Sequence, residues 1–241
     1  MKSSILELVK DLFFSLCFFN WRSYCRWDAD EKLVLLGSMG AVEYGISHIM
    51  ATLAENTSYN IISREKRFYG AAKETGQHDS PFYADMQVTD GNHIFEDYMG
   101  ALKQIHRGQR VVHIMSGASG RADIEVQWGM PSGTEGYRFD GSHVAEEDRQ
   151  WVEEFCERLR RNAAEVTVHS AARKDYTFNF TFATHNKACF GLKDTYIDRA
   201  IYNHSGATVV AVYLNVLSVL KAPDERYFAA LKVLMDTLEN N

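Results

Sequence analysis

His93, Glu96 and Asp97 stand at positions i, i+3 and i+4, so a helix through them sets an imidazole and two carboxylates on one face, a donor set that a divalent metal accepts. A metal site needs further ligands from elsewhere in the chain, and acidic side chains gather at a helix N-terminus for the sake of its dipole alone. The three residues are therefore read as the start of an ordinary helix and kept only as fallback metal or catalytic candidates. No metal, no cofactor and no catalytic residue is assigned. Cys189 with His185 or His204 offers a thiol and imidazole pair in principle, but nothing in the spacing supports it, and a lone cysteine is more often a small buried hydrophobe.

Asp123, Glu125 and Gln127 alternate with Ile124, Val126 and Trp128. The arrangement resembles the acidic strand of restriction-type nucleases, without a lysine at Gln127, and is equally what a sheet with one wet face produces. Gly117-Ala118-Ser119-Gly120 is similar to part of a nucleophile elbow, but Arg121 stands where GxSxG demands glycine, so the segment reads as a hairpin turn. No Walker loop, dinucleotide fingerprint, HExxH or EF-hand loop is present.

Composition narrows the partners. The chain has 241 residues, 46% hydrophobic and 24% charged, with a net charge of −6, which suits one globular domain and offers no general attraction to nucleic acid. The basic residues Arg158, Arg160 and Arg161 lie among Glu153, Glu154 and Glu157 and read as a salt-bridged solvated face. Four cysteines without CxxC spacing point to reduced thiols and a cytoplasmic location. No apolar run reaches the length of a membrane span.

The elements that must position any site follow from pattern. Ser4 to Glu7 has capping-box spacing, and Ile5, Leu8, Leu12, Leu16 and Phe19 recur at helical intervals, with Phe13, Phe14 and Phe18 widening the apolar face. That excess makes Leu8, Leu12, Phe13, Phe14, Phe18 and Phe19 the expected self-association surface. Residues 1–27 form this amphipathic helix and its connection, and 28–241 an α+β core, all within a single domain. A helix, continuous or broken, is favoured from about Glu31 to Glu55, with a strand at Lys32 to Leu36 and a helix at Val42 to Glu55 as the alternative. Strands are expected at Ser58–Ser63, Phe82–Val88, Arg110–Met115 and Ala122–Trp128, the last two joined as an antiparallel hairpin. Helices are expected at His93–His106, Glu146–Asn162 and after Pro223. Further strands fall at Val166–His169, Tyr176–Ala183 and Thr208–Leu217. The fold class is α+β, an antiparallel sheet or sandwich with flanking helices.

The stretch Ala101 to Gln109, ALKQIHRGQ, is similar to the helix end and turn found early in cypovirus polyhedrins, the insect-virus proteins that crystallise in infected cells. A strand at Met86 to Thr89, the helix from His93 to His106, Arg107-Gly108 and a strand at Arg110 to Met115 follow that family's order. The resemblance, limited to residues 92–113, implies a trimer-building β-sandwich, no catalysis and protective packing of virus particles. The sequence thus reads first as a self-assembling structural protein whose partner is itself, a homo-oligomer. A small hydrolase with scattered acidic and histidine residues, or a monomeric inhibitory or binding partner, are the alternatives.

Overall fold

The structure is a computed structural model and describes residues 24–37, 45–63, 100–116, 122–127, 144–169, 174–183, 196–220 and 224–239. Its strands are β1 (Tyr24–Arg26), β2 (Leu33–Gly37), β3 (Asn60–Ser63), β4 (Arg110–Met115), β5 (Ile124–Gln127), β6 (Thr167–Val168), β7 (Tyr176–Thr177), β8 (Phe180–Ala183) and β9 (Thr208–Leu214). Its α-helices are α1 (Ile46–Asn56), α2 (Arg149–Glu165), α3 (Tyr196–Ser205) and α4 (Glu225–Leu238).

Seven strands form one sheet in the order β1-β3-β2-β4-β9-β5-β8, and β6 pairs with β7 in a separate antiparallel ribbon. The four central strands β3, β2, β4 and β9 run parallel. β1 is antiparallel to β3 and β5 antiparallel to β9, while β8 runs parallel to β5. The physical cause is visible in composition: LVLLG in β2 and TVVAVYL in β9 are buried at every position, as strands covered on both faces must be. One face packs Leu35, Ile61, Val112, Val210 and Val212 against helices α1, α2 and α4. The other sets Val34, Leu36, Val111 and Val209 against Ile201 of α3 and against Ala101, Leu102 and Ile105.

Polar side chains stitch the edge where the parallel strands begin. Asn60 Nδ2 donates to the carbonyls of Asp28 and Glu31, and Gln109 Nε2 donates to Glu31 O at 2.9 Å. Beside them, Asp148 accepts from Arg110 Nε at 2.7 Å and from Thr208 Oγ1 at 2.6 Å, tying β4 and β9 to the start of α2. At the far end of the sheet, α1 starts at Gly45, whose φ of +78° suits glycine and whose missing Cβ would lie 2.9 Å from the Tyr227 ring of α4. At the other end of α1, Arg26 donates to the carbonyls of Ala54 and Tyr59, partnering a helix-end carbonyl that has no bond within the helix.

The α+β class with flanking helices holds. Within it, several expectations are corrected. The region from Glu31 is strand β2 followed by helix α1, because a fully apolar five-residue run ending in glycine suits a buried parallel strand better than a helix with three glycines. β4 and β5 do not form a hairpin: β9 lies between them. Tyr176–Ala183 is not one strand but β7 and β8, in two different sheets. Nor does the architecture fit the β-sandwich implied by the polyhedrin resemblance, since β4, the strand after Arg107-Gly108, is an inner strand of a single mixed sheet with helices on both faces. The N-terminal helix, the strand at 82–88 and the first half of the helix at 93–106 lie outside the described residues. Among the described residues, no helix is long and apolar enough to cross a membrane.

Candidate functional site

β4 reads RVVHIM, and the two-residue period of a strand sends Val112 and Ile114 to one face and Val111, His113 and Met115 to the other. A histidine inside a strand buried on both faces needs a hydrogen-bond partner, because a lone buried polar group costs about 1–3 kcal/mol. That partner comes from the first turn of α3. Asp198 Oδ1 lies 2.7 Å from His113 Nδ1, and the two side chains are 7% and 0% exposed. An ionised carboxylate only accepts, so the proton of this contact sits on Nδ1. This is the acid–base geometry in which a carboxylate fixes the tautomer and orientation of an imidazole.

Glu125 of β5 occupies the same face, since it is the direct register partner of Tyr213, which in turn neighbours Met115 of β4. Glu125 is 3% exposed. Met115, Ala211 and Tyr213 form a small buried cluster of their own, apart from the aliphatic contacts of Val111, Val209 and Ile201. The face beyond His113 therefore changes from aliphatic to polar and aromatic toward the ends where the parallel strands finish.

The other residues singled out by sequence do not converge. Asp123 precedes β5 and accepts the backbone N–H of Asn179 at 2.9 Å, so it braces a turn rather than joining Glu125. His93, Glu96 and Asp97 lie outside the described residues, as do His185, Cys189, the turn at 117–120 and the apolar positions Leu8, Leu12, Phe13, Phe14, Phe18 and Phe19. His204 is exposed in the last turn of α3. Among the described residues, no three His, Cys, Asp or Glu side chains are grouped to hold a metal ion. The acidic and basic face of α2 is solvated as expected, with Glu157 paired to Arg160, a hydrogen bond that holds the Glu157 carboxyl below its ordinary range.

Cys156 is the one thiol whose environment is defined among the described residues, and it is buried. Burial, reinforced by Glu153, pushes its pKa up to about 12, so almost no thiolate forms near neutrality and the side chain serves as apolar filling. In the folded protein, iodoacetamide at pH 8 is expected to leave the Cys156 peptide unmodified until denaturant is added. Peptide mapping by mass spectrometry checks this, and rapid native labelling would make Cys156 a candidate nucleophile.

No protein-family profile matches the chain. No curated protein matches it either. Solved structures do. A protein named YNDL, in its zinc-free apo form, shares 16% identity at a TM-score of 0.44, the match covering 90% of this chain and 89% of that one. A succinylglutamate desuccinylase from Silicibacter shares 13% identity at a TM-score of 0.46. That match covers 90% of this chain and 59% of the enzyme, so the chain spans little more than half of its length. A protein of Shewanella denitrificans, provisionally described as a metallopeptidase, shares 10% identity at a TM-score of 0.40, over 90% of this chain and 78% of that one. At these scores the likeness is one of general layout and says nothing of chemistry. The polyhedrin reading is overturned: a single mixed seven-stranded sheet covered on both faces is not the sandwich it implied, and neither a family profile nor a curated protein of that kind matches. The occlusion-body reading falls with it, and self-assembly is left without support, since the apolar positions that suggested it lie outside the described residues.

Sequence reasoning missed His113 and Asp198. The signal for His113 was a lone polar residue in the apolar run VVHIM. Asp198 offered none, because its helix was not foreseen.

Proposed function

We propose that the chain is a small hydrolase of carboxylic esters or amides, acting on the sheet face that carries His113. The observation supporting this is the buried Nδ1 to Oδ1 contact of 2.7 Å between His113 and Asp198. In the proposed reaction, Nε2 of His113 accepts a proton from water as the water oxygen bonds to the carbonyl carbon. The same proton then passes to the leaving oxygen or nitrogen as its bond to carbon breaks, giving a carboxylic acid and an alcohol or amine. Asp198 keeps its hydrogen bond throughout and stabilises the imidazolium that forms between the two transfers.

The test is turnover of nitrophenyl esters and N-acyl amino acids by the purified chain and by His113→Gln. The variant is expected to lose about 10²–10⁴-fold in kcat, the usual worth of a general base, while circular dichroism shows an intact fold. A wild type without turnover, or a His113→Gln variant as active as the parent, removes the proposal.

A second reading has its own observation. His113 is completely buried, as suits a pin holding α3 to the sheet in a binding protein without turnover. On that reading His113→Gln lowers the melting temperature, and no substrate is consumed by either form.

A further inference from the structure

We propose that residues 5–19 of the chain lie as a helix along the outer face of α4, against Phe228, Leu231 and Met235. The proposal is independent of the hydrolase reading, because α4 packs on the face of the sheet opposite the one that carries His113.

The receiving surface is a stripe. Phe228, Leu231 and Met235 stand at i, i+3 and i+7 of α4, the spacing that lines one side of a helix. Leu231 and Met235 are partly buried against the core, while Phe228 is 60% exposed and is the one large hydrophobic side chain left exposed among the described residues. A single surface phenylalanine is ordinary. One that extends a row of half-covered apolar side chains marks a contact. Lys232 and Asp236 border the stripe and already bind each other at 2.7 Å, so what covers it must bring apolar surface rather than charge.

The occupant follows from where the chain joins the sheet. β1 is antiparallel to β3 and Tyr24 pairs with Ser63, the last residue of β3, so the chain leading into Tyr24 meets the sheet at the end where the parallel strands finish. α1 starts at that same end, and its Gly45 meets the Tyr227 ring of α4, which puts Phe228 there too. Residues 20–23 reach up to about 14 Å when extended. Residues 5–19 as a helix measure about 22 Å, against about 21 Å for the 14 residues of α4. Ile5, Leu8, Leu12, Leu16 and Phe19 recur at helical spacing and supply the apolar row that the stripe lacks. A second copy of the protein offers the same row, but so short a tether holds the chain's own segment at an effective concentration on the order of millimolar. In dilute solution the tethered segment therefore wins.

The test places the photo-crosslinking analogue benzoylphenylalanine at position 228 of the full chain, followed by irradiation and tryptic mapping of the monomer. A link to peptide 3–10 or 11–22 within one chain is expected. The same link found only between two chains assigns the stripe to a second copy and overturns the proposal, as does a link elsewhere or none at all. A melting cycle supplies the second arm. Phe228→Ser, and the pair Leu8→Ser with Leu12→Ser, are each expected to lower Tm by about 3–6 °C, the worth of a partly buried apolar contact in a chain of this size. All three substitutions together should lower it no further than the larger of the two effects, since either change removes the same contact. Shifts that add in full, or a Phe228→Ser variant that melts with the wild type, overturn the docking.

Discussion

Asp198→Ala is expected to destabilise the protein by about 3 kcal/mol, because it strands a completely buried imidazole without its acceptor. The lost contact also loosens α3, whose remaining described hold on the sheet is the burial of Ile201 among Val111 and Val209. Asp198→Asn keeps an oxygen in the same place and should cost clearly less. Urea unfolding of the two variants measures the difference. The double variant Asp198→Ala with His113→Leu should recover much of the loss, since replacing both partners by apolar groups removes the stranded polar atom. If Asp198→Ala unfolds within about 0.5 kcal/mol of the wild type, as an ordinary surface substitution does, the pair neither pins α3 nor orients the imidazole.

Asp148→Ala should have an effect of similar size for a different reason. Asp148 precedes the first residue of α2, the position of an N-cap, yet its side chain does not cap the helix. Its carboxylate instead accepts from Arg110 and Thr208, the first residues of β4 and β9, while the Arg110 guanidinium lies 4.9 Å above the Trp151 ring. Removing Asp148 leaves the partly exposed guanidinium without its counter-charge and the buried Thr208 hydroxyl without its acceptor. The expected cost is about 3 kcal/mol, or roughly 6–12 °C in Tm for a chain of this size. Asp148→Asn can still accept from Thr208 and should fall between. Melting curves that place Asp148→Ala beside the wild type would show that the network adds nothing to the docking of α2. Turnover should survive in Asp148→Ala below its melting temperature, because this network sits at the opposite end of the sheet from Met115 and Tyr213.

Much of the framework could be read from residue pattern. The amphipathic spacing of Trp151, Phe155, Leu159 and Ala163 announces α2, and the buried run Thr208 to Leu214 announces β9. The strand order could not be read so, since apolar strands such as VVHIM and TVVAVYL carry no mark of which neighbour they pair with. The hairpin expected between Arg110 and Trp128 failed for that reason: proximity in sequence and a turn-rich link favoured adjacency, and the insertion of β9 depends on contacts nearly a hundred residues away. The region of β2 was misjudged as helix, whereas Gly37 ends a strand where a Cβ would strike Met50 at 2.7 Å. The site was illegible because it is a long-range event. His113 was one of nine histidines, and what distinguishes it is a carboxylate from α3 that arrives only when the sheet is built. Glu125 was noticed, but as the wet side of a strand; the alternation was right and the face is buried.

The late arrival of β9 governs how the protein can be made. On a ribosome, β2, β3, β4 and β5 emerge well before Thr208, and the strand that belongs between β4 and β5 is still unsynthesised. At about 5–20 residues per second, the interval from Met115 to Leu214 lasts roughly 5–20 s. Throughout it, one edge of β4 has no permanent neighbour, and an apolar, unpaired strand edge invites adhesion to other chains. The nascent polypeptide is thus a natural client for chaperones, and any premature stop before residue 208 yields a product with a gap in the middle of its sheet rather than a shortened but closed domain.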